Sequence, residues 1–163
     1  MKTPQKLILP NADLLGEVVR LLGEGKEVIL STKGASMMPF IHTNRDSVLL
    51  VRRDRPQVGD IALGEIAPSR YVLHRIAAIN GEKVTLRGDG NLRGTERCRL
   101  DRIHGVAVQI IRPNGKVIDA EAPRFKKRVA RWNALPVSAR HLFLALYRRL
   151  LRIPKNVNQM PKQ

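Results

Sequence analysis

At 163 residues the chain has room for one domain with short appendages, and a hydrophobic content of 43% can fill a core. Aromatic residues are only 4%, so that core is aliphatic, and the composition excludes a disordered chain. The net charge of +16 is unevenly placed: residues 1–110 hold 17 basic and 12 acidic side chains, a net of +5, while residues 111–163 hold 13 and 2, a net of +11. The first part is therefore an ordinary, mildly basic domain. The last third is a basic segment of the kind that meets phosphates or anionic lipid. Cys98 is the single cysteine, which excludes an intramolecular disulfide.

Along the chain, Asn11 can cap a helix that starts at Ala12, with Leu14, Leu15, Val18, Val19, Leu21 and Leu22 as its apolar stripe. Gly23 and Gly25 end it. Short apolar segments then alternate with turn signals. Strands are predicted over Lys26–Lys33, Asp46–Arg53, Asp60–Ile66, Arg70–Ile79, Glu82–Arg87, Ile103–Arg112 and Lys116–Asp119. Asn80-Gly81 is the strongest hairpin signal, and Gly88-Asp89-Gly90-Asn91 is a tight loop. This spacing predicts an antiparallel, mainly β domain, a barrel or a sandwich.

After Pro123 the texture changes. Arg124–Leu135 and Ser138–Arg152 read as basic helices separated by Pro136, with Ser138 as the second helix's N-cap. Leu142, Phe143, Leu146 and Leu150 form an apolar stripe, with Arg148, Arg149 and Arg152 at the C-terminal end. The tail from Pro154 reads as disordered. The organisation is a helix over 1–25, a β domain over 26–122, a basic amphipathic helical segment over 123–153 and a tail over 154–163. The basic segment suits an anionic membrane surface over residues 124–152, with Trp132 and the stripe facing down, or else packs its stripe on the β domain. Nothing resembles a nucleic-acid-binding motif, so nucleic acid is the weaker partner.

No apolar run approaches the roughly 18 residues of a membrane span, and Met1–Pro10 has no apolar signal core. The expected location is cytoplasmic, with at most a peripheral place at a membrane. The four histidines and one cysteine have no ligand spacing, and no glycine loop has a phosphate-binding pattern. No metal and no cofactor are expected.

The chemistry centres on Gly34-Ala35-Ser36-Met37-Met38-Pro39-Phe40. Small residues before a serine let a peptide backbone approach its hydroxyl, and a proline holds the chain after it. A serine nucleophile needs a base. Of His42, His74, His104 and His141, His74 stands inside a strand and faces the same side as Val72 and Ile76, where an imidazole wants a polar partner. A carboxylate would orient it. Asp89 is the first candidate, with Glu96 and Asp101 as rivals.

Ser36-Met37-Met38-Pro39, Val58-Gly59-Asp60-Ile61, Leu73-His74-Arg75-Ile76 and Gly88-Asp89-Gly90-Asn91 occur in this order. Over Val28 to Ile110 this resembles the S24/S26 serine peptidases, the type I signal peptidases and the LexA-like self-cleaving proteins. The resemblance implies a signal-peptidase/LexA-like β-barrel or sandwich in which the serine attacks a peptide carbonyl. His74 falls where most bacterial members place a lysine, which is similar to the histidine-base variant. Asp89 matches that variant's first aspartate. Its second falls near Thr95-Glu96, so Glu96 is the alternative third member. Gly34 occupies the position of an oxyanion-binding serine in many members, which leaves the backbone of Gly34, Ala35, Ser36 and Met37, closed by Pro39, to hold oxyanion and substrate. The expected activity is a serine endopeptidase acting on a peptide or precursor protein. The alternatives are a catalytically inactive peptide-binding β domain and a self-cleaving LexA-like protein.

Overall fold

In the computed structural model the described residues are 5–6 and 11–150, with side chains from 14 onward. The order is β1 (Gln5–Lys6), α1 (Asn11–Gly23), β2 (Val28–Ser31), β3 (Ser47–Val51), β4 (Ile61–Ala67), β5 (Arg70–Asn80), β6 (Lys83–Arg87), β7 (Glu96–Arg99), a single 3-10 turn (Leu100–Arg102), β8 (Ile103–Ile111), β9 (Val117–Asp119), α2 (Pro123–Ala134) and α3 (Val137–Leu150). The protein is mainly β with an N-terminal helix and two C-terminal helices, as the pattern of short strands predicts.

All nine strands join one sheet in the order β1-β2-β3-β8-β4-β5-β6-β7, with β9 beside β8. Every pairing is antiparallel except β1 with β2. The barrel expectation needs correcting: β1 and β7 lie at opposite ends of the sheet and do not pair, so it stays open. The junction is β8, which pairs β3 along one edge and, along the other, first β4 and then β9. The β5–β6 hairpin pairs Asn80 with Lys83, so its two-residue loop is Gly81-Glu82, and Gly81 takes φ 59°, a left-handed value that glycine supplies without strain.

Alternation along the strands feeds two cores. Ile61 and Leu63 of β4 join the larger cluster, with α1, β2, β3 and the Met37–Ile41 segment, whereas Ala62 joins the smaller one with Ile76, Val84, Leu86 and Val106. In α1 the buried side chains are Val18, Leu21 and Leu22, part of the predicted stripe. The cap expected of Asn11 rests on a side chain outside the described residues, as does the tail from Pro154.

Two strands escape the sequence patterns. The pair Gln5–Lys6 is too short to carry a period, and Glu96–Arg99 reads Glu-Arg-Cys-Arg, with no apolar alternation. The latter becomes β7 because Lys83 to Leu86 of β6 offer it an open edge, and Cys98 turns inward against the smaller core. Burial pushes the Cys98 thiol above its ordinary value, as suits a structural rather than a reactive cysteine.

The basic segment is partly built into the core. Phe125, Val129 and Trp132 of α2 are buried, and the Phe40 ring meets Phe125 and Trp132 edge-on at 5.5 and 6.4 Å. Trp132 therefore faces inward, not down onto a membrane. Helix α3 begins at Val137, and the Pro136 carbonyl accepts the Arg140 N–H, so Ser138 lies inside the first turn rather than capping it. Its inward side carries Arg140, Leu144 and Tyr147, and Tyr147 Oη lies 2.6 Å from His42 Nε2. Desolvation, then the Arg112 charge, holds the His42 imidazole below its ordinary value. That keeps it neutral beside Arg112, whose guanidinium also bridges the buried Asp46 carboxylate and the Phe40 carbonyl.

Candidate active site

Four separate segments meet around β5. His74 stands opposite Ala62 on β4, and Ile76 stands opposite Leu86 on β6, which in turn faces Glu96 on β7. Paired residues share a face, so this register sets His74, Ile76, Leu86 and Glu96 on one side of the sheet. His74 is buried, and its Nδ1 lies 2.9 Å from Glu96 Oε2. A carboxylate only accepts hydrogen bonds, so Nδ1 is the donor of this pair.

Asp89, the first candidate for that carboxylate, is engaged elsewhere. Its Oδ1 and Oδ2 accept Arg75 Nε and Nη2 at 2.8 and 2.7 Å, a bidentate pair with both residues buried. Arg75 faces the opposite side of β5 from its neighbour His74. It also donates Nη1 to the Gly59 carbonyl at 2.7 Å and stands 5.9 Å from the Phe125 ring centroid. Trp132 Nε1 donates to the Asp89 carbonyl at 2.9 Å. Three of the four sequence motifs thus lock together through one guanidinium. Asp101 lies in the 3-10 turn, exposed, and pairs with Arg99.

The fourth motif arrives through backbone contact. Arg75 pairs with Arg87, so the next residue, Gly88, comes alongside His74. A Cβ on Gly88 would sit 2.4 Å from the Ser36 carbonyl oxygen and 3.0 Å from Ser36 Cβ. A Cβ on Gly90 would sit 2.8 Å from the Met38 carbonyl oxygen, and the Gly90 N–H donates to the Ser36 carbonyl at 2.8 Å. The loop 88–90 therefore lies flat on the Ala35–Met38 turn, a fit that only glycine allows at both places. Gly88→Ala is expected to force these backbones apart, at about 1–3 kcal/mol by analogy with overpacking. The thermal midpoint would report the loss, and an unchanged midpoint would show that the two segments are not in contact.

Ser36 itself follows Gly34, which takes φ 84° and turns the chain after β2. Met37 and Met38 are buried in the larger core and pin the turn from beneath, while Ser36 stays half-buried. The Met38-Pro39 bond is cis. Among the described residues neither the Ser36 N–H nor its hydroxyl has a hydrogen-bond partner, and none joins Ser36 to His74. The free N–H is the type of donor that an oxyanion requires.

Sequence reasoning missed Arg75 and the two close-approach glycines as organisers of this centre. The pattern Gly-Asp-Gly carried a signal for the latter, whereas nothing local marks Arg75 as buried. Among the described residues no three His, Cys, Asp or Glu side chains converge as a metal site would need, and no helix is long and apolar enough to cross a membrane. No protein-family model matches the chain, and no curated protein matches it.

Proposed function

We propose that this chain is a serine endopeptidase of the S24/S26 kind, with Ser36 as nucleophile, His74 as general base and Glu96 as the carboxylate that orients it. The observation that carries the reading is the His74–Glu96 pair at 2.9 Å between β5 and β7, with Gly88 beside His74 in register and against the Ser36 turn. Catalytic hydrogen bonds often tighten only when substrate binds, so an unmade Ser36–His74 bond is compatible with this role.

In the reaction His74 Nε2 takes the Ser36 Oγ proton as Oγ attacks the scissile carbonyl carbon. The carbonyl oxygen becomes an oxyanion facing the Ser36 N–H, and Glu96 holds the imidazolium through Nδ1–H. Collapse breaks the C–N bond, with the proton passing from Nε2 to the leaving amine. Water then repeats the sequence on the acyl-enzyme, giving the acid and free Ser36. The resemblance suggests a peptide or precursor cleaved next to a small residue. It also suggests the histidine-base variant, and the free thiol of Cys98 suits a reducing compartment.

A fluorophosphonate probe tests the reading. Wild-type protein is expected to take up one label at Ser36, located by peptide mass mapping. Ser36→Ala should take up none. Label at another residue, or equal labelling of Ser36→Ala, would remove Ser36 from the role.

A further inference from the structure

Helix α3 has two apolar sides, and only one is used by the fold. Leu144 and Tyr147 face the domain and Phe143 packs on the Trp132 and Tyr147 rings, but Leu142, Leu146 and Leu150 are 62%, 55% and 81% exposed. Three large apolar side chains on one helix face are more than scattered surface residues explain. Their surroundings are cationic. Arg124, Lys126, Lys127, Arg128 and Arg131 of α2 are all exposed, and α2 is held to α3 by the Trp132 and Phe143 rings at 5.4 Å. Residues 122–163 contain no aspartate or glutamate.

We propose that α3, with the cationic side of α2, docks this protein on an anionic lipid bilayer. The charge pattern selects that occupant. A second copy of the chain would bring the same cations face to face, and a nucleic acid would leave the aliphatic stripe in water. An anionic bilayer takes the stripe at its acyl boundary and the arginines and lysines at its headgroups. The inward bonds of α3 remain in place on docking, since Leu144, Tyr147 and Arg140 face away from the stripe.

Flotation of the full chain with vesicles tests this. Phosphatidylcholine vesicles containing 30 mol% (about one lipid in three) phosphatidylglycerol should carry the protein up, and pure phosphatidylcholine should not. At roughly fivefold per charge, K126Q/K127Q/R128Q should lower the partition coefficient about 10²-fold. L142D/L146D, on exposed positions, should abolish flotation while leaving the circular-dichroism melt and Ser36 labelling intact. Equal flotation with both vesicle types, or none with either, overturns the proposal. So does a stable dimer in solution that L142D/L146D dissociates.

Discussion

Asp89→Ala is expected to destabilise the fold by about 3–5 kcal/mol, because it strands the Arg75 guanidinium in the core without its carboxylate. Arg75 is 9% exposed and Asp89 5%, so little water reaches the orphaned charge. A loss of that size is a large share of the roughly 5–15 kcal/mol that holds a domain together. The urea midpoint should fall steeply, and Arg75→Met should fall comparably. The double variant should be less damaged than the two losses summed, since removing both charges leaves neither buried alone. The outcome also assigns Asp89. If Asp89→Asn kept the wild-type urea midpoint yet lost peptide cleavage, Asp89 would belong with the catalytic groups and not with the scaffold.

Glu96→Gln is expected to do the reverse: keep the fold and lose about 10²–10⁴ in kcat. The replacement preserves shape but offers His74 Nδ1 an amide that can donate, which favours the tautomer with the proton on Nε2. A base protonated at Nε2 cannot accept from Ser36, and the comparable change in a Ser-His-Asp triad costs about 10⁴. Glu96 keeps 26% side-chain exposure, so its neutralisation should leave the urea midpoint within about 1 kcal/mol of wild type. Rates on a peptide substrate, measured beside His74→Ala, would check it. Full activity in Glu96→Gln would take Glu96 out of the site.

Together these two variants separate the two faces of β5. Consecutive side chains on a strand point to opposite sides, so His74 and Arg75 serve different centres one residue apart. Arg75 gathers Gly59, Asp89 and α2 beneath the site. His74 faces the smaller core with Glu96. The Arg75 scaffold and the His74–Glu96 pair therefore share a strand but no side-chain hydrogen bond.

By itself the sequence determined the elements whose signals are local. The α1 stripe, the Gly81 hairpin, seven of the strands and both C-terminal helices follow from apolar periodicity and turn chemistry, which neighbouring residues carry. The side of the strand that His74 faces follows from the same two-residue period. What it could not determine are pairings across the sheet. Glu96 reaches His74 only because β7 adds to β6 with Leu86 opposite Glu96, and a strand of Glu-Arg-Cys-Arg advertises no such edge. Asp89 is the first candidate because it lies in the loop that closes the strand after β5, but a place in sequence leaves open which adjacent side chain takes the carboxylate. The buried guanidinium of Arg75 decided that, since a charge removed from water takes the nearest bidentate partner. The outward stripe of α3 was likewise legible as apolar, while the direction it faces was settled by the inward packing of Leu144 and Tyr147.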